Sequence, residues 1–426
     1  MSHLLAMDQP VTDSAPAPPS PFPVAPSRKV GRITSSAIRE LLALGERPGV
    51  ISLAGGLPSA PHFPVEETLM AVDDLLRRGP GALQYSPTEG LPAFREWIAA
   101  HHGVGPEQVI VTHGSQQALD LIARATLDEG DPVALADPGY VGAIQAMRLG
   151  GGVLVALPTD HDGLGVEALE DRLGAGLRPR LVYVVPNFHN PTGATLSARR
   201  ARRLAHLADH FGFLIVEDDP YADIRFSGQA PPPLATLTDR VVSIRTISKV
   251  LFPGLRVGWM VAPASLAPSL ALVKQAVDLH TSTLAQSLAL DLLTRPGFLT
   301  GHVGILRAHY EGQARVLAGA LTASFGADLE ITPADGGLFL WARLRRPRID
   351  TATLLPTAID HGVAYVPGSA FSVVAPHRTS LRLSYATVAP EDLVEGARRL
   401  AGIVPGRHGS TRPRPHRTSP GVDRYD

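Results

Sequence analysis

The sequence contains no cysteine among its 426 residues, which excludes disulfides, thiolate nucleophiles and thiolate metal ligands. Basic and acidic residues nearly balance, 39 against 40, so no global field draws the chain to nucleic acid or to an anionic membrane. No apolar run approaches the roughly 18 residues that a membrane span requires. The segment MSHLLAMDQP lacks a basic region followed by an apolar one. These absences predict a soluble, cytoplasmic protein that binds charged ligands locally.

The length and the composition of the ends predict two lobes between unstructured segments. A chain of 426 residues exceeds the roughly 250–300 residues at which a single core stops growing. Residues 10–27 are crowded with Pro, Ala and Ser, and the segment from Gly406 is rich in Arg and Pro, so neither builds a packed core. The expected segments are a disordered leader (1–30), a large domain (61–300), a small C-terminal domain (301–405) and a disordered tail (406–426).

Short apolar runs alternate with helical patterns up to about residue 300. The runs occupy residues 108–114, 132–137, 152–158, 181–186, 213–218, 241–246 and 257–263. Near-continuous apolar strands separated by helices indicate a largely parallel sheet that is buried on both faces. After residue 300, a long helical pattern precedes closely spaced strands. The sequence therefore predicts an α/β fold, with a mainly parallel central sheet in the large domain and a smaller α+β domain.

The tetrapeptide T-I-S-K at 246–249 directly follows one of the predicted strands. Lys249 therefore lies at a carboxyl strand end, the edge at which open α/β sheets bind ligands. Thr246, Ser248 and Arg256 nearby suit an anionic ligand. A lysine amine forms an imine with an aldehyde when burial or a nearby cation lowers its pKa. A surface lysine after a strand has the same local sequence, so the neighbouring motifs must decide.

The apolar run FLIVEDDPY ends in three consecutive acids, Glu217, Asp218 and Asp219. One interpretation is a metal site, but no histidine lies at ligand spacing and adjacent residues of a strand point in different directions. The other is a single carboxylate, Asp218, that faces a cationic ring nitrogen and keeps it protonated, with Tyr221 near the hydroxyl of the ring. The sequence favours the second interpretation and no metal.

Three further strand ends carry groups that suit the same ligand. HGSQQALDL turns through Gly114 into a helix, whose first residues Ser115 and Gln116 are placed to bind a phosphate. Asn190 in PNFHNPTG offers an amide, and Tyr140 in DPGY offers an aromatic face. Each also fits an ordinary turn or packing role. The chain has no G-x-G-x-x-G or Walker motif, which counts against NAD and ATP.

In this order and spacing, these pieces resemble the fold-type-I pyridoxal-phosphate-dependent aminotransferases of class I/II. The resemblance runs from about Arg32 to about Ile403 and is strongest to the α-aminoadipate and kynurenine aminotransferase group. The segments that carry it are RITSSAIRELL, ISLAGGLP, LQYSPTEG, GSQQALDL, NPTG, VEDDPY, SKVLFPGLRVG and LRLSYAT. It implies an aspartate-aminotransferase-like fold, pyridoxal 5'-phosphate as cofactor, a homodimer with shared active sites, and an N-terminal arm (31–60) that packs with the small domain and the active site.

The resemblance also assigns cofactor contacts. Lys249 is expected to form the imine, Asp218 to partner the pyridine nitrogen, and Asn190 and Tyr221 to partner the ring hydroxyl, with Tyr140 stacked on the ring. The catalytic residues are thus Lys249, Asp218 and Tyr221. The phosphate is expected among Ser115, Gln116, Thr246, Ser248 and Arg256, with Tyr85 reaching in from a second subunit.

For the substrate, the resemblance implies that Arg382 in LRLSYA binds the carboxylate, since a guanidinium holds a carboxylate by two parallel bonds. Gly56 and Asn190 are expected beside it. Arg39 in AIREL corresponds to an arginine that meets a distal carboxylate or swings aside. FHNPTG replaces the FQNPTG of relatives and brings a histidine, His189, near the cofactor. The segment DLHTST, with His280 and Thr281, corresponds to one that approaches the neighbouring active site and is expected to tune substrate choice.

The function implied is transfer of an amino group between an L-amino acid and a 2-oxo acid. The amino acid displaces Lys249 from the aldehyde, the freed amine moves the Cα proton to the cofactor, and a second 2-oxo acid, expected to be 2-oxoglutarate, reverses the half-reaction in a ping-pong cycle. Decarboxylation, lyase or oxidase chemistry and a noncatalytic sensor that binds the cofactor remain alternatives. An aldolase without a cofactor needs neither the phosphate site nor Asp218, and the Pro-rich leader leaves no room for the DNA-binding domain of a regulator. The identity of the donor amino acid is left open.

Overall fold

The structure is a computed structural model that describes residues 27, 29–33 and 47–405. The predicted tail, Arg39 and nearly all of the predicted leader lie outside these ranges. Within them, none of the helices combines the length and the apolar character that a membrane span needs.

Helices and strands alternate along most of the described chain. The α-helices are α1 (Val65–Arg77), α2 (Pro92–His102), α3 (Ser115–Thr126), α4 (Val141–Leu149), α5 (Val166–Gly174), α6 (Ala198–Phe211), α7 (Ala267–Asp278), α8 (Thr283–Thr294), α9 (Phe298–Phe325), α10 (Thr351–Asp360) and α11 (Pro390–Ile403). The strands are β1 (Ile51–Ser52), β2 (Val109–Thr112), β3 (Pro132–Asp137), β4 (Val153–Asp160), β5 (Gly163–Leu164), β6 (Leu181–Val184), β7 (Leu214–Asp218), β8 (Val241–Thr246), β9 (Gly258–Val261), β10 (Leu329–Ile331), β11 (Phe339–Leu344), β12 (Val363–Ala364), β13 (Val366–Pro367) and β14 (Ser380–Ser384).

Local sequence accounts for many of these boundaries. Helix α6 begins after Ser197, whose hydroxyl accepts a hydrogen bond from the N–H of Arg200, and it ends at Gly212 in the left-handed conformation. Helix α3 begins directly after Gly114, whose φ of 75° reverses the chain between β2 and the helix. The first residues of α3, Ser115 and Gln116, therefore lie near the end of the sheet.

The central sheet has eight strands in the order β2-β9-β8-β7-β6-β3-β4-β5. Strands β8, β7, β6, β3 and β4 pair in parallel, whereas β2, β9 and β5 pair antiparallel to their neighbours. Alternate residues of β3 pack in opposite directions: Val133 and Leu135 join a core with α3 and α4, and Ala134 and Ala136 join one with α5 and α6. The predicted α/β class, with a mainly parallel sheet between two helical layers, is confirmed.

One predicted strand differs from expectation. The run at 152–158 was expected to be buried on both faces, but much of β4 is partly exposed and Val153 is 55% exposed. Beyond β4 lies only the two-residue strand β5, so the sheet is nearly at its edge there. An apolar run alone does not distinguish a central strand from one near the edge.

A second, antiparallel sheet follows the long helix α9 and has the order β10-β11-β14-β13. The run GVAYVPG divides between two sheets, because β12 pairs with β1 and β13 pairs with β14. The pairing of β1 with β12 holds the segment after Ile51 beside the second sheet. The same segment reaches the end of the central sheet, where the carbonyl of Gly56 contacts Lys249. The domain boundaries stay predictions.

Candidate active site

The carboxyl ends of the parallel strands β3, β6, β7 and β8 meet at one edge of the central sheet, and a cavity of about 320 Å³ opens there. Segments from four other parts of the chain close it: the start of α3, the stretch after β1, β11 and β14. The predicted site residues that line this cavity are Gly56, Ser115, Gln116, Tyr140, Asn190, Asp218, Tyr221, Thr246, Ser248, Lys249, Arg256 and Arg382. Motifs that are far apart in the sequence are therefore brought into one site.

Lys249 projects into the cavity from the turn after β8. Its Nζ donates a hydrogen bond to the carbonyl oxygen of Gly56 at 3.0 Å. Burial, together with the charges of Arg382 and Arg256, lowers the pKa of Lys249 to about 8. A larger fraction of this amine is therefore neutral near pH 7 than for an exposed lysine, and the neutral form is the nucleophile.

Asp218, the last residue of β7, has one satisfied and one free carboxylate oxygen. Its Oδ2 accepts a hydrogen bond from the hydroxyl of Tyr183 at 2.8 Å. Its Oδ1 is buried and has no hydrogen-bond partner among the described residues. Burial, with a smaller contribution from Asp219, raises the pKa of Asp218 to about 7, against the opposing effect of Tyr183. A buried acceptor in this state is complementary to a cationic N–H donor.

The two acids beside Asp218 have separate structural roles. Glu217 accepts hydrogen bonds from the hydroxyl of Ser243 at 2.6 Å and from the N–H of Leu234 at 3.0 Å. Asp219 pairs with Arg245 at 2.8 Å and accepts from the amide of Asn187 at 2.8 Å. No group of three acidic or histidine side chains in the described ranges is arranged to hold a metal ion. Glu217 and Asp219 therefore bind partners within the protein, whereas Asp218 lines the cavity.

An aromatic and amide wall faces Lys249. Tyr140 donates its hydroxyl to Oε1 of Gln116 at 3.3 Å, and burial raises the pKa of Tyr140 to about 12. The side chain of Asn190 is hydrogen-bonded to Tyr221 and accepts a bond from Arg382 at 2.9 Å. Burial raises the pKa of Tyr221 as well, so both phenols are neutral hydrogen-bond donors.

The opposite end of the cavity is cationic and rich in donors. Helix α3 starts there at Ser115, and its N-cap residue, Gly114, has no side chain that could bond the first N–H groups. Arg256, in the left-handed conformation with φ of 54°, donates to the carbonyl of His113 at 3.0 Å and lies against Gly114, where an added Cβ would be 3.0 Å from the guanidinium. The hydroxyls of Thr246 and Ser248 are 2.9 Å apart. This arrangement suits a phosphate group.

Arg382 is buried in the middle of β14. It donates to Asn190 and to the carbonyl of Ala54, each at 2.9 Å, while its Nε has no partner among the described residues. The rings of Phe339 and Phe371 lie 4.0 Å and 5.0 Å from its Cζ. Burial lowers the pKa of Arg382 to about 10, so the group remains a cation near pH 7.

Several predicted residues lie elsewhere. Tyr85 is 76% exposed and contacts the ring of His280 edge-on, with the ring centroids 5.4 Å apart, outside the cavity of its own chain. His189 does not line the cavity; its Nδ1 bonds the hydroxyl of Thr192 at 2.8 Å and burial lowers its pKa to about 4. Thr281 is buried and donates to the carbonyl of Val111.

Tyr183 and Phe339 line the cavity but were not among the predicted site residues. Both lie within apolar strand runs, where an aromatic residue is normally a core residue, so the sequence carried no signal for either.

Comparisons with known proteins agree with this geometry. Residues 48–400 match the family model described as aminotransferase class I and II. The 2-aminoadipate transaminase of Thermus thermophilus is 41% identical over 382 residues, which cover 88% of this chain and 95% of that protein. The aromatic-amino-acid aminotransferase 1 of Thermococcus litoralis is 37% identical over 391 residues, which cover 89% and 93%. The crystal structure of the α-aminoadipate aminotransferase from Thermus thermophilus, complexed with N-(5'-phosphopyridoxyl)-L-leucine, superposes with a TM-score of 0.83 at 40% identity and covers 88% of this chain and 96% of that chain.

The chain therefore belongs to the aminotransferase class I and II family. It is a pyridoxal-phosphate-dependent aminotransferase, and the predicted aspartate-aminotransferase-like fold and the resemblance to the α-aminoadipate and kynurenine aminotransferase group are confirmed.

The cavity fits pyridoxal 5'-phosphate on its own chemistry. The unpartnered Oδ1 of Asp218 complements a protonated ring nitrogen, and the amine of Lys249 complements an aldehyde. The helix start at Ser115 and the guanidinium of Arg256 complement a phosphate at the other end.

Proposed function

We propose that this chain transfers an amino group between an L-amino acid and a 2-oxo acid, with glutamate and 2-oxoglutarate as one pair, in a ping-pong cycle. The observation that carries the proposal is one cavity that holds a lysine amine of lowered pKa, a buried carboxylate with a free oxygen, and a buried arginine. When bound, the cofactor supplies an electron sink for the carbanion that forms at the substrate Cα. The remaining steps are assigned to side chains of this chain.

In this proposal Lys249 would hold the cofactor through its Nζ, and the same amine would move the proton of the substrate Cα. Asp218 would keep the ring nitrogen protonated through Oδ1, and Asn190 and Tyr221 would donate to the ring hydroxyl. Tyr140 would stack on the ring. The phosphate contacts are assigned to Ser115, Gln116, Thr246, Ser248 and Arg256.

Arg382 is assigned the substrate carboxylate, with Gly56 and Asn190 beside it. Support comes from the position of Arg382, a buried cation that lines the cavity, and from its Nε, which has no hydrogen-bond partner among the described residues. An added Cβ at Gly56 would lie 3.1 Å from the ring of Phe339, so this glycine keeps space open near Arg382. Arg39, which lies outside the described residues, stays a predicted contact for a distal carboxylate.

We also propose a homodimer in which Tyr85 of one protomer completes the phosphate site of its partner. Large apolar side chains are exposed on α1, where Leu69 and Met70 are 59% and 53% exposed, and on α7, where Leu272 is 69% exposed. Such apolar surface is typical of a contact between proteins. Sedimentation of the purified chain, with and without the cofactor, tests this. The cytoplasmic location stays a prediction.

A substrate panel tests the function. Purified enzyme is mixed with 2-oxoglutarate and each of a set of L-amino acids, beginning with 2-aminoadipate and the aromatic amino acids because relatives at 41% and 37% identity bear those names. Glutamate formation and the absorbance of the bound cofactor are followed together. Release of carbon dioxide or consumption of oxygen without glutamate would instead support a decarboxylase or an oxidase.

The assignment of Lys249 has its own test. Lys249→Ala should lose both the cofactor absorbance typical of a lysine adduct and turnover, whereas Lys29→Ala, at an exposed lysine outside the cavity, should keep both. An active Lys249→Ala enzyme would refute the mechanism.

A further inference from the structure

Asp137 and His377 meet where the end of the central sheet contacts the loop that leads into the second sheet. Asp137 is the last residue of β3 and precedes the cavity-lining Tyr140 by three positions. His377 lies three positions before β14, the strand that carries Arg382. Neither residue lines the cavity itself. The pair thus connects the two segments that hold Tyr140 and Arg382.

The carboxylate of Asp137 accepts four hydrogen bonds from this loop. Nε2 of His377 donates to Oδ1 at 2.8 Å. The other three donors are consecutive backbone N–H groups at 2.8–3.1 Å, those of Val373, Val374 and Ala375. A fifth bond runs the other way, from the N–H of Gly139 to the carbonyl of Phe371 at 2.8 Å.

The contact between Asp137 and the loop is buried, and it includes a residue in an unusual backbone conformation. The side chain of Asp137 is 6% exposed, and burial alone would raise its pKa, but His377 and the three N–H donors hold the pKa at about 2. Asp137 is therefore an anion throughout the neutral range. His377 has φ of 40°, a left-handed conformation that residues other than glycine rarely adopt and that persists only where surrounding contacts fix it.

The loop fixed in this way forms part of the support of Arg382. Phe371, at its start, is fully buried, its ring lies 5.0 Å from the guanidinium carbon of Arg382, and it packs edge-on against Trp341. On the other side of the contact, Asp137 and Gly139 belong to the same turn as Tyr140. Displacing the loop from the turn would therefore move the support of Arg382 relative to Tyr140.

We propose that Asp137 and His377 are positioning residues that set the substrate-binding geometry of Arg382 relative to the wall formed by Tyr140. The inference rests on the proposed role of Arg382 in binding the carboxylate of both the amino acid and the 2-oxo acid. Loss of the contact weakens that binding equally in the ground state and the transition state, so KM rises for both substrates while kcat is preserved.

Steady-state kinetics of His377→Ala and His377→Gln holoenzymes test the proposal. His377→Ala should raise KM about tenfold for both substrates, the loss expected for one charge-assisted hydrogen bond, with kcat within about twofold of the wild type. Glutamine also offers an N–H donor, so His377→Gln should recover most of the wild-type KM. His161→Ala is the matched control. His161 is exposed and lines a surface cleft that Asp137 and His377 also line, so KM of this variant should equal that of the wild type.

Hydrogen exchange gives a readout that is independent of activity. In the substrate-free holoenzyme, Asp137→Ala should speed exchange of the amides of Val373, Val374 and Ala375 relative to the wild type. Unchanged exchange there, or unchanged KM in His377→Ala, would overturn the proposal. The two His377 variants could instead lose thermal stability equally while KM stays unchanged. That result would give Asp137 and His377 a structural role only, and it would also overturn the proposal. A wild-type enzyme that transfers no amino group would instead refute the proposed function.

Discussion

Tyr183→Phe removes one oxygen atom and isolates the effect of a single hydrogen bond on the site. The hydroxyl of Tyr183 donates to Oδ2 of Asp218 at 2.8 Å, and both side chains are buried. In the substituted enzyme no protein donor replaces this bond among the described contacts, since Oδ1 already has no partner. In the proposed site, the cofactor is then the remaining hydrogen-bond donor to this carboxylate, with the charge of Arg245 as a weaker stabilising influence.

The magnitude follows from the charge of the acceptor. A hydrogen bond to a charged group contributes about 1.5–3 kcal/mol, and about 1.4 kcal/mol corresponds to a factor of ten in an equilibrium or a rate. Burial raises the pKa of Asp218, and the hydrogen bond from Tyr183 opposes that rise, so loss of this donor favours the neutral form of the carboxyl group. A neutral Asp218 does not hold the ring nitrogen protonated, and we expect kcat to fall at least about tenfold at pH 7.

The assay is kcat for amino transfer together with a pH titration of the absorbance of the bound cofactor, each compared with the wild type. Tyr365→Phe is the control, because Tyr365 is equally buried and donates its hydroxyl to the carbonyl of Thr351 at 2.6 Å, away from the cavity. That change should lower stability by about 1 kcal/mol and leave kcat unaltered. A Tyr183→Phe enzyme with wild-type kcat and an unshifted titration would refute the reasoning.

Two other substitutions test the charges of the cavity. Arg382→Lys replaces a planar guanidinium, which already donates to Asn190 and to the carbonyl of Ala54, by a single ammonium group. KM for both substrates should therefore rise at least about tenfold, with the cofactor absorbance retained. An unchanged KM would contradict the role of Arg382. In the cofactor-free enzyme, burial raises the pKa of Asp218 from 3.8 to about 7. Between these two pH values the folded chain keeps a proton that the unfolded chain releases. Asp218 therefore lowers the free energy of unfolding increasingly as the pH rises from 3.8 to about 7. Cofactor-free Asp218→Asn should therefore unfold at higher urea concentration than the wild type at about pH 8, with a difference that shrinks towards about pH 5; a difference independent of pH would contradict the shift.

Much of the fold followed from periodicity and turn chemistry. The bounds of β3 and β8 agree with the apolar runs at 132–137 and 241–246, because buried parallel strands need apolar residues on both faces. Lys249 and Asp218 could be assigned to one site from sequence because parallel strands end at the same edge of their sheet. The exposure of β4 could not be predicted, since it depends on how few strands lie beyond it.

Long-range contacts account for the residues that were missed. Asp137 and His377 are 240 positions apart, and nothing in either local sequence indicates that they meet. Phe339 faces Arg382 because β11 pairs with β14, with Trp341 opposite Arg382, and this register is set by the whole second sheet. Tyr85 lies outside the cavity of its own chain, so its predicted role depends on a second protomer.

Strand alternation explains both the success with Asp218 and the failure with Tyr183. Along β7, Val216 and Asp218 share a face, whereas Glu217 and Asp219 point the other way to Ser243 and to Arg245. The sequence is therefore enough to separate Asp218 from its neighbours. Recognising Tyr183 also requires the register of β6 on β7, in which Tyr183 lies beside Val216 and so on the face of Asp218. That register leaves Asp218 with Tyr183 as its one donor among the described residues and with Oδ1 unpartnered. Such an arrangement costs stability until a cationic N–H is bound, and in the proposed function the ring nitrogen of the cofactor supplies that N–H.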